Sequence, residues 1–337
     1  MVRLGAMGDV IHALPAVARL KYSFPRARLT WAVESQWSPL LDGNPSVDEV
    51  LPLPISDWRR RFGIVTWREF QTVRTALRAS RFDLAVDFQG LLKSALVTFF
   101  SRADRVVGFE RDQLRESIAA SFYSDRAPSE ARHVVRKNLE LASAVGGNKG
   151  PITFPLPPGK ADPALPCGEF VLASPVAGWT SKQWPPAHYA KLARLLWQRR
   201  RIPLVVDCTP RNRAYAEEIC NRAPTGSAVL HTSSLEGLIG ATRRARAVVG
   251  VDSGPLHLAS ALGVGGVAIY GRTDPARNGP FDSGFVVLRT PWAPTSYKRG
   301  DEIDDTMLRI TPEKVWEALD GYLSGETTAV TQAVSPP

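Results

Sequence analysis

The sequence predicts an α/β fold of two doubly wound, parallel-sheet domains, and three observations predict it. Short β-rich runs alternate with stretches of helical spacing through both halves of the chain. A stretch rich in Pro and Gly separates the halves. At 337 residues and 44% hydrophobic content, the chain exceeds one ordinary core and holds enough apolar residues to fill two.

In the first half, residues 28–33, 49–53 and 84–87 read as strands, and 10–22 and 69–80 carry helical spacing. Only residues 1–4 precede the first glycines, where a full apolar strand is expected; this reads as a first strand cut short, with a start a few residues upstream. Between Gly146 and Gly168 stand Pro151, Pro155, Pro157, Pro158, Pro163 and Pro166, which sustain neither a helix nor a central strand. The expected boundaries are therefore a first domain over 1–150, a linker over 151–167 and a second domain over 168–310. In the second domain, 169–174, 203–207 and 247–251 read as strands and 186–199, 212–222 and 255–262 as helices. Thr311 is placed to cap a final helix through 323, with Pro312 at its first position and Glu313 behind it. Residues 324–337 are small, polar and Pro-ended, and disorder is expected there.

The longest apolar runs, 94–100 and 245–251, fall short of the roughly 20 residues a membrane helix needs, and no signal peptide is evident. Cys167, Cys208 and Cys220 form no CxxC pair and have no histidine-rich surroundings, so neither a zinc site nor a disulfide framework is indicated and a reducing, cytoplasmic compartment fits. The net charge of +9, carried mostly by arginine, points to phosphorylated partners, although a solvated basic surface would also explain it. The charge is scattered and the aromatic motifs of RNA readers are missing, which disfavours a nucleic-acid binder. Neither half has the glycine fingerprint with its acidic partner, which disfavours a dehydrogenase.

Three segments have the makings of chemistry. Gly5-Ala6-Met7-Gly8-Asp9-Val10-Ile11-His12 puts two glycines and a carboxylate at a strand-to-helix turn, the edge where open α/β sheets bind ligands. Asp9 there is either a general base for a sugar hydroxyl or a helix N-cap. In the second half, Val251 leads into Asp252-Ser253-Gly254-Pro255 and a helix carrying His257. The unpaired amides of that helix start form a diphosphate site without metal; the alternative is an ordinary turn capped by Asp252 or Ser253. Trp179-Thr180-Ser181-Lys182-Gln183-Trp184-Pro185 falls between a strand and a helix. Lys182 would neutralise a leaving diphosphate, or else be a solvated lysine.

Met7-Gly8-Asp9-Val10-Ile11-His12, Lys182-Gln183-Trp184-Pro185, Asp252-Ser253-Gly254 with His257, and Tyr270-Gly271-Arg272-Thr273-Asp274-Pro275 together resemble the ADP-heptose:lipopolysaccharide heptosyltransferases, glycosyltransferase family 9. The likeness runs in order over roughly residues 1–320. It implies a GT-B architecture, two Rossmann-like domains facing across a cleft, with acceptor on the N-terminal side, nucleotide sugar on the C-terminal side and inversion at the anomeric carbon. Asp9 then matches the general base. Lys182 matches the lysine near the donor phosphates, and Asp252, Ser253, Gly254 and His257 match the donor-binding helix start. Asn212 stands where first-heptose enzymes carry a glutamate for the donor ribose, and Ala177 and Gly178 stand where paired threonines precede the lysine. No metal or cofactor is required.

On the acceptor side, Asp87-Phe88-Gln89-Gly90-Leu91-Leu92-Lys93-Ser94 and Arg115-Glu116-Ser117 look closest to the branch that adds the first heptose to Kdo. The resemblance assigns Gly8, His12, Gln89, Lys93 and Arg115 to the acceptor. In Trp58-Arg59-Arg60-Arg61-Phe62, Arg59 and Arg60 would meet lipid A phosphates or the inner-membrane surface, at about 1 kcal/mol per basic residue near anionic lipid; a solvated loop is the alternative. The expected protein is a monomer, cytoplasmic and peripheral to the inner membrane, whose partners are a nucleotide sugar and a lipid-linked Kdo acceptor. Two rivals remain: a same-family transferase with another acceptor, and a non-catalytic nucleotide-sugar binder.

Overall fold

A computed structural model describes residues 1–61, 63–326 and the backbone of 331–333, with Arg59 described by its backbone alone. The chain divides into two compact units, Met1–Pro157 and Pro158–Pro337, and the division falls inside the proline-rich stretch.

The N-terminal unit runs α1 (Met7–Ser23), β1 (Thr30–Glu34), β2 (Glu49–Leu53), α2 (Ile55–Arg60), α3 (Ile64–Ala79), β3 (Leu84–Val86), α4 (Leu92–Ser101), β4 (Arg105–Phe109), β5 (Asp125–Ala127) and α5 (Val134–Ala144). Short as they are, residues 1–4 act as the central strand. Val2 N–H donates to Val86 O (2.8 Å) and Arg3 N–H to Ala32 O (3.2 Å), and Val2 bridges Ala32 and Asp87 in parallel. This joins the β1–β2 pair to the β3–β4–β5 sheet. Helix α1 begins at Met7 rather than at residue 10, because apolar spacing starts at Val10 whereas the first turn is fixed by a polar contact. Ala6 takes the N-cap position, and its N–H donates to the Asp9 carboxylate (3.0 Å). Asp9 is thus a third-position residue and not the cap. Trp58 to Arg60 lie in α2 rather than in a loop, and Phe62 lies outside the described residues. Helix α3 begins at Ile64, five residues before the expected 69, since its exposed first turn carries no periodic apolar signal.

The C-terminal unit runs β6 (Val171–Ser174), α6 (Pro186–Arg200), β7 (Leu204–Cys208), α7 (Arg213–Arg222), β8 (Ala228–Thr232), α8 (Leu235–Arg244), β9 (Ala247–Val251), α9 (Gly254–Ala261), β10 (Gly266–Tyr270), α10 (Pro275–Asn278), β11 (Phe285–Arg289), α11 (Asp305–Leu308), α12 (Pro312–Leu323) and β12 (Thr331–Ala333). Its parallel sheet has the order β12-β11-β10-β9-β6-β7-β8. Val171, Val206, Val249 and Ile269 face a core shared with Leu192, Ala216 and Leu319 of α6, α7 and α12. The alternate residues Leu172, Val205, Val248 and Ala268 are buried as well. Burial on both faces is why these strands read as unbroken apolar runs. The chain steps from β6 out to β8 and returns to β9 on the other side of β6, so the C-terminal ends of β6 and β9 flank a topological switch point, where ligands enter such sheets.

Two details complete this unit. His231 on β8 is held between Asp207 (Nδ1 to Oδ1, 2.7 Å) and Asp162 (Nε2 to Oδ2, 3.1 Å), which ties the stretch entering the unit to its edge strand. The Asp207 hydrogen bond, opposed by burial, raises the His231 pKa. The disorder expected over 324–337 is corrected at Thr331–Ala333, which pairs with β11: an edge strand offers a row of free amides and carbonyls, and a short polar segment satisfies them. Residues 327–330 and 334–337 lie outside the described residues. Among the described residues, no helix is long and apolar enough to cross a membrane.

Candidate active site

In the N-terminal unit, Asp9 is presented by the first turn of α1. One carboxylate oxygen pairs with Arg3 Nη2 at 2.7 Å and the other accepts the Ala6 N–H, yet the side chain is 44% exposed. Arg3 itself is buried and also donates to Phe88 O. Gly5 allows the turn: its φ is +154°, and a Cβ there would meet the Trp37 indole nitrogen at 2.8 Å. The result is an oriented, solvent-accessible carboxylate at a helix start, as a proton acceptor requires.

The other residues expected to bind acceptor are spread over this unit. Gly8 is buried in the first turn of α1. His12 is buried with its ring edge-on to His133, 5.9 Å between centroids, where α1 packs on α5. Gln89 accepts from Leu4 N–H (2.8 Å) and donates to Gly5 O (3.3 Å), so its amide braces the turn that carries Asp9. Lys93 is half-buried in the first turn of α4, and Arg60 and Arg115 are exposed. Beside Gln89, Asp87 is fully buried and accepts from Gln89 N, Gly90 N, Ser94 Oγ and Tyr123 Oη. Burial nonetheless pushes its carboxyl above the usual range.

In the C-terminal unit, the ends of β6 and β9 bring Lys182 and Asp252 together across 70 residues of sequence, Nζ to Oδ2 at 2.5 Å. Asp252 is buried; its other oxygen accepts from Asn278 Nδ2 (2.9 Å) and lies 3.5 Å from His257 Nε2. Burial alone would raise its pKa, but the His257 hydrogen bond and the Lys182 charge outweigh burial and hold the carboxyl far below the usual range. Lys182 Nζ also sits 4.3 Å from the centre of the Trp179 ring. Asp252 is a permanent anion that would repel a diphosphate directly, while it gathers the groups that attract one. Ser253 occupies the N-cap position of α9 without a capping bond, and its buried hydroxyl has no partner. The first amides of α9, from Gly254 on, are left for a ligand. Asn212 lies at the start of α7, beyond the end of β7 on the same sheet edge. Among the described residues, no cluster of His, Cys, Asp and Glu could hold a metal ion.

The family model of glycosyltransferase family 9 (heptosyltransferase) matches residues 70–303. The chain belongs to that family. Lipopolysaccharide heptosyltransferase 1 of Pseudomonas aeruginosa PAO1 is 31% identical over 316 residues, covering 87% of this chain and 84% of that protein. Lipopolysaccharide heptosyltransferase 1 of Escherichia coli K12 is 31% identical over 309 residues, covering 86% and 93%. The solved structure of E. coli heptosyltransferase WaaC with ADP superposes with a TM-score of 0.81 at 26% identity, covering 95% of this chain and 98% of that one. The same enzyme with ADP-2-deoxy-2-fluoro heptose gives 0.78.

This family 9 transferase therefore has the parallel α/β, GT-B class of fold expected from its motifs. The structure adds residues around these sites to which the sequence reading gave no role, although Asp87 and Trp179 stand within its quoted segments. Arg3 orients Asp9, Asp87 closes the turn beside Gln89, Trp179 lies under Lys182, and Asn278 holds Asp252. The one available signal was position: Asn278 follows the Thr273-Asp274-Pro275 segment, and Asp87 ends an apolar strand.

Proposed function

We propose that this transferase moves a heptose, with inversion, from ADP-heptose to the Kdo of the lipid A inner core of lipopolysaccharide, with the donor held by the C-terminal unit and the acceptor by the N-terminal one. The observation that carries the donor half is the Lys182–Asp252–His257 cluster beside the uncapped start of α9. Fixed positive charge and free amides meet there, the combination that stabilises a departing nucleoside diphosphate. The acceptor oxygen attacks the anomeric carbon from the side opposite the diphosphate. The carbon–oxygen bond to ADP breaks with its electron pair leaving on the phosphate, and Asp9 takes the acceptor's proton. Lys182 and the α9 amides neutralise the charge on ADP.

The acceptor half rests on the exposed carboxylate of Asp9 and the basic residues Arg59, Arg60, Lys93 and Arg115. Contact with the inner-membrane surface is supported by the exposed Ile64 (73%), Val65 (68%) and Trp67 (61%), in a segment, 58–82, that holds seven arginines and one carboxylate. The deciding experiment is incubation of the purified protein with ADP-heptose and Kdo-lipid A, read by mass spectrometry. One added heptose is expected. No product, with ADP still raising Tm, would move the error to the acceptor; no response to ADP would overturn the donor assignment.

A further inference from the structure

The segment 290–304, between β11 and α11, has no regular structure and no role in the chemistry above, yet it is pinned at several points. Arg289 donates to Gly271 O (3.2 Å) and Thr295 Oγ1 (3.1 Å), and Ser296 N–H donates to Arg272 O (3.0 Å). Arg272 pairs with Asp304 at 3.3 Å. At its far end, Gly300 O accepts from Ser181 N–H (3.3 Å), and a Cβ on Gly300 would meet Ser181 Cβ at 3.1 Å. The segment is therefore a strap laid against the turn that carries Lys182. Between strap and turn lies a cavity of about 560 Å³, lined among others by Trp179, Lys182, Arg272, Arg299, Asp301 and Glu302. That volume falls within the range of small-ligand sites, about 300–1,000 Å³.

Three features decide what fits. Lys182 forms part of the wall, so the cavity starts where the diphosphate would be neutralised. Cationic side chains (Lys182, Arg272, Lys298, Arg299) and anionic ones (Asp301, Glu302, Asp304, Asp305) both line it: carboxylates would repel a further phosphate, whereas hydroxyl groups both donate and accept and are satisfied by such a mixture. Lastly, the Trp179 ring already has Lys182 at 4.3 Å and Arg299 at 5.9 Å from its centre, which leaves it poorly placed to stack a nucleobase. We propose that this cavity receives the sugar of the nucleotide-sugar donor, and that Arg299, Asp301 and Glu302 of the strap determine which sugar is accepted by reading its hydroxyls. The proposal rests on the donor reading above.

The test is calorimetric binding of ADP and of ADP-heptose, without acceptor, to the parent protein and to Asp301→Asn, Glu302→Gln and Arg299→Ala, with Tm confirming the fold of each. Asp301 and Glu302 are exposed, so their amide variants are expected to fold. ADP affinity should stay within about twofold of the parent, while ADP-heptose binding weakens by about 10- to 100-fold, the loss of a hydrogen bond to a charged group. Discrimination between ADP-heptose and ADP-hexoses should shrink in parallel. Equal losses for ADP and ADP-heptose would make the cavity a nucleotide site and overturn the proposal, as would unchanged binding of both. A parent protein that binds neither would instead overturn the donor reading, and this inference with it.

Discussion

The two units build the same local motif to opposite ends. Each runs a strand into a turn and then a helix with an aspartate near its start, yet Asp9 is 44% exposed and held by one arginine, while Asp252 is 4% exposed and held by lysine, asparagine and histidine. The first can exchange a proton with whatever reaches it. The second, fixed as an anion by its neighbours, exchanges none and serves to hold cations in place. Identical side chains thus acquire different chemistry from burial and partners alone.

The comparison breaks most sharply at Asp9. Asp9→Asn keeps the shape and removes the carboxylate proposed as base, so heptose transfer should fall by about 10²–10⁴-fold while the midpoint for ADP binding is unchanged. A variant with near-parent turnover would move the base elsewhere. At Asp252 the complementary change is loss of its cation. Lys182→Met should slow transfer by about 10²–10³-fold and, by leaving the buried Asp252 carboxylate without its lysine, destabilise the protein by up to about 3 kcal/mol. The double variant Lys182→Met/Asp252→Asn should recover Tm but not transfer, and recovery of both would show the pair to be structural only.

Intermediate effects should come from the residues that hold each aspartate. Asn278→Leu removes a hydrogen bond to a charged group, so Tm should drop with a loss of about 1.5–3 kcal/mol, accompanied by a lower kcat at little-changed KM for acceptor. Arg3→Met frees the Asp9 side chain, and an order of magnitude in kcat, about tenfold, is expected because a misplaced base is less effective even when ionised.

The smallest effect tests a site remote from both aspartates. Asp207 raises the folded pKa of His231 above the ordinary imidazole value of about 6.5, so its contribution is fully present below that value and is lost as pH rises through the raised one. Tm measured from pH 6 to pH 9 should fall by about 2–4 °C from this group, and His231→Gln should flatten that slope. A slope untouched by the substitution would assign the loss to another group.

Legibility in the sequence followed burial. In the C-terminal unit the elements that were read fell within about two residues of their places, although β8, α8, β10 and β11 were not read: 247–251 coincides with β9, 186–199 differs from α6 by one position, and Thr311 caps α12 by accepting from Lys314 N–H. Its central strands β6, β7, β9 and β10 are buried on both faces, and α6 and α12 start on proline, so pattern and punctuation agree there. The N-terminal unit was less readable. β5 is three residues long with two of them exposed, and α3 opens on exposed Ile64 and Val65, so apolar spacing says little about either. Within the sites, Asp9, Lys182 and the start of α9 stood out by their local motifs, because strand-to-helix turns carry ligands. Their partners did not: Asn278 reaches Asp252 from 26 residues away, and the strap 290–304 has neither period nor cap. Such contacts arise only when separate strand ends are brought to one edge.

The position of residues 1–4 also bears on how the chain assembles. Residues 1–4 lie between two strands made later, and the neighbour on one side ends at Val86. The N-terminal sheet thus cannot close until synthesis has passed residue 86. Closure over such sequence separations is slow compared with helix formation, so α1 should form early and wait, its apolar face uncovered, for the strands that will flank the segment preceding it. In that interval the nascent chain, rather than the finished enzyme, is the species most exposed to aggregation.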